Sequence, residues 1–339
     1  MSKKIIDIKP FEFRDDVGDP FLARMHHVDY YPKSNGHMEV PEAQLVGKHS
    51  GEDFDFSSDF KMYYGKGVPG FPSHPHRGFE TVTVVLQGYV DHSDSDGASG
   101  RYGAGDVQWM TAGSGMQHAE MFPLIHDDQE NTMELFQIWL NLPSKDKFVK
   151  PSYKMLWAED MKVIEEKDEA GNTATINLIA GSYKGIKSLD PNPDSWANNR
   201  DNHVGIWTIQ MEPGSSFTLP NISSTLNRNL YFYQGDSITL DDVPIKEHSI
   251  IKLVGDEEIK VTNGNHKSYL LLLEGEPINE PVVNYGPFVM NTKEEIDQAY
   301  KDYHATGFGG WPWDQRDPVS PKDVGRFARY DEHRIEIPK

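Results

Sequence analysis

Between Phe71 and Met121 the chain carries two short clusters, His74-Pro75-His76 and His118-Ala119-Glu120, whose shared spacing constrains the fold more than any other feature. Successive side chains on an extended strand point to opposite faces, so His74 and His76 share one face, and His118 and Glu120 share one on their own strand. Each cluster sits beside a Gly-rich turn. The second follows the first by about 42 residues, which suits two strands that meet again in one small barrel. Brought together, the clusters offer imidazole and carboxylate donors to one divalent first-row metal, with iron the first expectation and manganese, nickel, copper, cobalt or zinc also compatible. Four protein ligands on an octahedral ion leave room for exogenous oxygen donors.

The rest of the chain supports strands. Phe79–Leu86 is rich in β-branched residues, and Val107–Thr111 and Glu134–Leu142 read as further strands. With 29 Gly and 22 Pro the sequence is punctuated too often for long helices, so the expected class is all-β. From Val204 to Leu273 short strands recur at the spacing of a sandwich or barrel. At 339 residues two domains are expected, and the polar, Lys-rich stretch 143–152 predicts the boundary, giving a first domain 1–145 and a second 146–339. One helix is predicted near 292–304. Thr292 to Glu295 form a capping box, Ile296, Ala299, Tyr300 and Tyr303 fall at helical spacing, and Gly307 supplies the stop. The tail after Phe308, with Trp311-Pro312-Trp313, is too aromatic for a free linker and is expected to pack on the body.

Lys plus Arg total 33 against 53 Asp plus Glu, a net charge of −20 that repels phosphate backbones and argues against direct nucleic-acid binding. The absence of cysteine excludes thiolate ligands and disulfides, so a metal must be held by His and carboxylates. Ile5-Ile6 is far shorter than the roughly seven apolar residues of a secretory signal, and no apolar run approaches the roughly 20 residues of a bilayer span. A cytoplasmic, monomeric protein without a membrane segment is expected. Asp94-Ser95-Asp96-Gly97 fails as a calcium loop because His92 and Gly103 would occupy the first and twelfth positions, so it is read as a hairpin loop. His26, His27, His37 and His49 lack ligand-type spacing and read as ordinary surface or hydrogen-bonded residues. Spacing leaves Glu80 open beside Glu120 as the carboxylate ligand, since Glu80 shares the parity of His74 and His76 and a bend at Gly78 could bring it near.

His74–Thr83, Gly105–Gly113 and His118–Met121 closely resemble the signature of the pirin family, within the cupin superfamily. Glu280–Val283 and Gly286–Thr292 are similar to that family's C-terminal motif, and Gly309–Trp313 to the tails of bacterial members. The resemblance implies a bicupin of two antiparallel β-barrels, with metal only in the first. It implies His74, His76, His118 and Glu120 as the ligands, which moves Glu80 to a supporting hydrogen-bonding role. It also implies a metal-dependent dioxygenase of the quercetinase type, acting on flavonols or related enolic phenols, with Glu120 taking the substrate's proton. The alternative it carries is a metal- or redox-responsive regulator that binds an enzyme or transcription factor, so the expected partner is a small aromatic substrate or a protein. Long loops at 158–174 and 185–203 depart from the vertebrate pattern.

Overall fold

The computed structural model describes residues 4–15, 17–51, 54–246 and 248–339. The architecture is all-β, with one α-helix among the described residues, Lys293–Thr306. The chain divides into two compact units, each built from antiparallel strands.

The unit that holds both clusters comprises Arg24–Glu159 and Glu280–Lys339. One of its sheets includes, in order, Ser152–Leu156, Val107–Thr111, Phe79–Gln87 and Asn131–Asn141. The other runs Ile335–Glu336, Phe327–Arg329, Ser99–Gly103, Tyr89–Asp94, Met116–Met121 and Gly70–His76. Between them lies a core that includes Val85, Val90, Tyr102, Met110, Met133 and Leu135. These apolar residues stand on sheet faces turned toward each other, which is how antiparallel strands bury one side. Asp94–Gly97 is the hairpin turn anticipated, joining Tyr89–Asp94 to Ser99–Gly103.

Gly78 separates Gly70–His76 from Phe79–Gln87, and the two strands enter different sheets. Its φ of +83° lies in the left-handed region, and a Cβ there would stand 2.0 Å from the Val289 carbonyl oxygen. Strain and overlap act together at this point. Gly78→Ala is expected to cost about 2–5 kcal/mol in a urea titration of this unit, from backbone strain plus overpacking; a loss below about 1 kcal/mol would show that the turn relaxes freely.

The other unit takes the N-terminal residues up to Ala23 together with Asp160–Asn279. Its larger sheet runs Ile5–Pro10, Ser249–Leu253, Asn227–Gln234, Ser268–Gly275, Gly205–Met211, Thr173–Ala180 and Lys162–Lys167. A four-stranded sheet of Ser216–Leu219, Ile259–Asn263, Ser237–Leu240 and Val243–Lys246 packs on it. Alternate residues such as Ile176 and Leu178, Trp207 and Ile209, and Leu270 and Leu272 fill the core at period two.

The all-β cupin class holds in both units, with strands that hydrogen-bond as facing sheets and do not close into complete barrels. The compact units and loops differ from the expected division. The division at 145/146 does not describe the compact units, because Ser152–Leu156 pairs with Val107–Thr111, Phe327–Arg329 pairs with Ser99–Gly103, and Ile5–Pro10 pairs with Ser249–Leu253. The Lys-rich stretch is no linker. Lys147 is buried and its ammonium donates to the Gly78 carbonyl at 2.8 Å, the Asn141 side chain at 2.8 Å and the Val289 carbonyl at 3.2 Å. The supposed loop 158–174 contains Lys162–Lys167, an edge strand that reads as polar because Ile164 alone of its residues is buried.

The helix matches its prediction. Thr292 and Glu295 form the reciprocal capping box, Gly307 ends the helix in the left-handed conformation, and Ile296 and Ala299 are buried against Phe288 and Met290. It belongs to the unit with the clusters. Arg77 explains part of the attachment, donating to Asp302 at 2.7 Å and lying over the Phe308 ring at 4.4 Å.

Candidate metal centre

Gly70–His76 is an edge strand, which is why Pro72 and Pro75 are tolerated there. It pairs with Met116–Met121 so that His74 faces His118, His76 faces Met116 and Phe71 faces Glu120, with an irregularity between Phe71 and His74. On the other side of Met116–Met121, Asp94 faces His118 and His92 faces Glu120. Residues opposite one another share a sheet face, so three neighbouring strands present His74, His76, His118, Glu120, His92 and Asp94 to the same side.

The structure brings His74, His76 and His118 together, with one ligand atom from each inside a 4.8 Å cluster. Two of the rings are oriented by backbone carbonyls. His74 Nδ1 donates to the Pro72 carbonyl at 3.0 Å, and His76 Nδ1 to the Pro287 carbonyl at 3.4 Å. A carbonyl accepts only from N–H, so Nε2 of each ring carries the lone pair, the arrangement that metal-bound histidines use. Both nitrogens of His118 are buried without a hydrogen-bond partner. Buried polar atoms are rarely left in that condition, and an ion bound there would satisfy one of them.

Burial holds all three imidazoles neutral. It lowers His74 to about 4 and takes His76 and His118 well below their ordinary value, with neighbouring imidazoles adding to the effect in each case. Neutral imidazole is the form that binds a metal. The donor set and its protonation therefore fit a divalent transition metal.

Glu120 stands beside the trio, with Oε2 3.6 Å from His118 Nε2. Gln137 Nε2 donates to its two oxygens at 3.2 and 3.0 Å, and the Thr83 hydroxyl approaches Oε1 at 3.1 Å. Burial raises its carboxyl, and His92, Thr83 and Gln137 offset part of that rise. Glu80 is placed elsewhere. It lies on the other sheet, where it accepts from Trp109 Nε1 at 3.1 Å and from the Thr111 hydroxyl at 2.7 Å. Shared parity with His74 fails as an argument because the chain changes sheet at Gly78.

His92 and Asp94 escaped the sequence expectations. They lie beside the trio, with His92 Nε2 3.1 Å from Asp94 Oδ2 and the His92 ring 5.7 Å from that of His118. The C-terminal tail also reaches the centre. Trp313 Nε1 donates to the Asp94 carbonyl at 2.8 Å, and Gln117 Nε2 donates to the carbonyls of Gly307 and Gly310 at 2.7 and 3.0 Å.

The remaining N-terminal histidines behave as ordinary residues. His37 and His49 are exposed, and His26 stacks on Phe136 at 4.3 Å. His27 is buried with Nδ1 2.8 Å from the Tyr63 hydroxyl, and burial lowers it from 6.5 to about 3. An unfolded chain therefore takes up a proton at this residue that the fold refuses. Its stability contribution is complete above pH 6.5 and falls as acid is added, by about 2 kcal/mol at pH 5. Between pH 7 and 5, His27→Gln should flatten the wild-type loss of stability by that amount in urea titrations, and an unchanged slope would contradict the assignment.

Two cupin domains, one with three convergent imidazoles, two of them buried and His74 half-buried, and an adjacent carboxylate, define the class: a bicupin with one candidate metal centre among the described residues. Residues 33–140 match the Pirin family model, and residues 206–309 match that of the Pirin C-terminal cupin domain. The chain belongs to the pirin family. It is 36% identical to human Pirin over 76% of this chain and 84% of that protein. Against a tomato pirin-like protein it is 40% identical over 69% of this chain and 75% of the relative. In fold it is similar to a quercetin 2,3-dioxygenase of Acinetobacter baumannii, with TM-score 0.69 and 27% identity, covering 91% of this chain and 98% of that one. No helix among the described residues is long and apolar enough to cross a membrane.

Proposed function

We propose that the chain is a metal-dependent dioxygenase of the quercetinase type that opens flavonols or related enolic phenols, with His74, His76, His118 and Glu120 holding the metal and iron the first candidate. The observation that carries this reading is the convergence of three neutral imidazoles, His74 half-buried and the other two buried, with both nitrogens of His118 unpartnered, beside a buried carboxylate. When bound, the metal would act as a Lewis acid that makes the substrate's hydroxyl more acidic and supports its reaction with dioxygen. The protein's own contribution is positional. The Pro72 and Pro287 carbonyls hold the His74 and His76 rings, and Gln137 with Thr83 holds the Glu120 carboxylate. Glu120 is the group placed to accept the hydroxyl proton on one of its oxygens. A cleft of about 720 Å³ bordered by Phe71, Pro72 and His74 provides apolar walls for a flat ring system. The similarity to a quercetin 2,3-dioxygenase structure supports the substrate class.

Anaerobic reconstitution with iron, manganese, nickel, copper or cobalt, followed by addition of quercetin and oxygen, tests the reading. Oxygen uptake with release of carbon monoxide is expected for at least one metal. No turnover with any of them would contradict it. Metal-dependent capture of a defined protein partner in that case would favour the regulatory alternative.

A further inference from the structure

The cleft beside His74 has a charged wall that the catalytic reading does not use. Arg316 and Lys66 line it together with a single carboxylate, Asp317. Two cations against one anion make this a locally positive opening in a chain of net charge −20. Arg316 is held in place. Its Nε donates to the Ser73 hydroxyl at 3.1 Å and Nη2 to the Ser73 carbonyl at 2.6 Å, while the Ser73 amide donates back to the Arg316 carbonyl at 2.7 Å. Arg316 is exposed and, among the described residues, its Nη1 makes no protein hydrogen bond, which leaves that nitrogen available to a ligand. The cation lies near enough to His74 to contribute, after burial, to keeping that imidazole neutral. Arg316 also lies past residue 309, where the match to the C-terminal family domain ends, so the tail adds this group to the shared architecture.

A fixed guanidinium at the mouth of an apolar cleft suits a carboxylate, which it can meet through charge-assisted hydrogen bonds. We propose that this cleft leads to the candidate metal centre and that Arg316, with Lys66, makes it selective for aromatic substrates bearing a carboxylate remote from the hydroxyl groups directed at the metal. The inference rests on the reading of the centre as one that receives a hydroxylated aromatic, and it narrows the substrate class to anions.

Two probes with the same catechol and different charge test it: 3,4-dihydroxybenzoate and 3,4-dihydroxybenzamide. Their affinities are measured by calorimetry under argon on nickel-loaded and on metal-free protein. Wild type is expected to bind the carboxylate at least about tenfold tighter in the nickel form, with the ratio shrinking as salt screens the pair. In Arg316→Gln the ratio should fall to within about twofold, whereas Arg316→Lys should keep part of it, because the charge remains while the fork anchored on Ser73 is lost. Loss of the tail's packing alone would weaken both probes alike and leave the ratio intact. Equal binding of the two probes by wild type, no binding of either, or an unchanged ratio in Arg316→Gln would overturn the proposal. No turnover of quercetin with the ratio intact would remove the dioxygenase reading and leave the anion selectivity standing. Turnover without a ratio would do the reverse.

Discussion

Arg101→Ala is expected to destabilise the unit that carries the candidate centre by about 3–5 kcal/mol, because it strands the buried Asp91 carboxylate. Arg101 Nε and Nη2 donate to the two oxygens of Asp91 at 2.7 and 2.8 Å, and both side chains are almost fully buried. The same guanidinium donates to the carbonyls of Ser320, Pro321, Lys322 and Val324, and Asp91 accepts from the Ser320 amide at 2.7 Å. Both partners thus fasten the tail as well as each other. Burial raises the Asp91 carboxyl, and Arg101 is the main group opposing that rise. Replacing both residues, as in Arg101→Leu with Asp91→Leu, should recover only part of the loss, since four tail carbonyls still lack their donor. Denaturant titration of the single and double variants, with limited proteolysis beyond Gly310, measures both effects. A single variant within about 1 kcal/mol of wild type would show that the pair is solvated and the tail held by other contacts.

His118→Leu is expected to weaken metal binding by more than the roughly 100-fold that changes outside the ligand set reach. The variant removes one donor from a group of three imidazoles and fills its space with an apolar side chain. Its effect on stability should depend on the metal. In metal-free protein His118 is a buried imidazole with both nitrogens unpartnered, so an apolar replacement should be neutral or stabilising, up to about 1–3 kcal/mol. In metal-saturated protein the same variant should be destabilising, because wild type gains the free energy of bound ion and the variant does not. Gln137→Leu offers the comparison. It removes a bond to Glu120 and should cost roughly 10–100-fold in affinity without abolishing the site. Competition with a chelator gives the affinities, and melting with and without metal gives the stabilities. The same affinity for His118→Leu as for wild type would place the ion elsewhere.

Much of this centre was legible in the chain itself. The i, i+2 spacing of His74 and His76, and of His118 and Glu120, puts each pair on one face, and the structure sets the two strands side by side with His74 opposite His118. The helix at Lys293–Thr306 was equally readable, since its capping box and stop signal are local chemistry. What sequence spacing misjudged involved long-range placement. Glu80 shares parity with His74, but Gly78 sends the following strand into the other sheet. Lys147 looks like linker composition and is instead a buried donor to backbone and side-chain oxygens. His92-Ser93-Asp94 has the same i, i+2 form as the two recognised clusters, a signal obscured by the polar loop that follows it. Arg316 had no local signal at all. Its place beside His74 depends on the tail returning across the sheet, which only the assembled fold reveals.

The proposed function requires one metal ion held among His74, His76, His118 and Glu120. Anomalous diffraction from crystals of the metal-loaded protein, recorded on either side of the metal's absorption edge, tests it most directly. One peak is predicted, about 2.0–2.2 Å from a nitrogen of each of the three histidines and from an oxygen of Glu120. A peak coordinated by Glu80 in place of Glu120, a peak in the other domain, or no peak in protein shown to contain metal would contradict this ligand set.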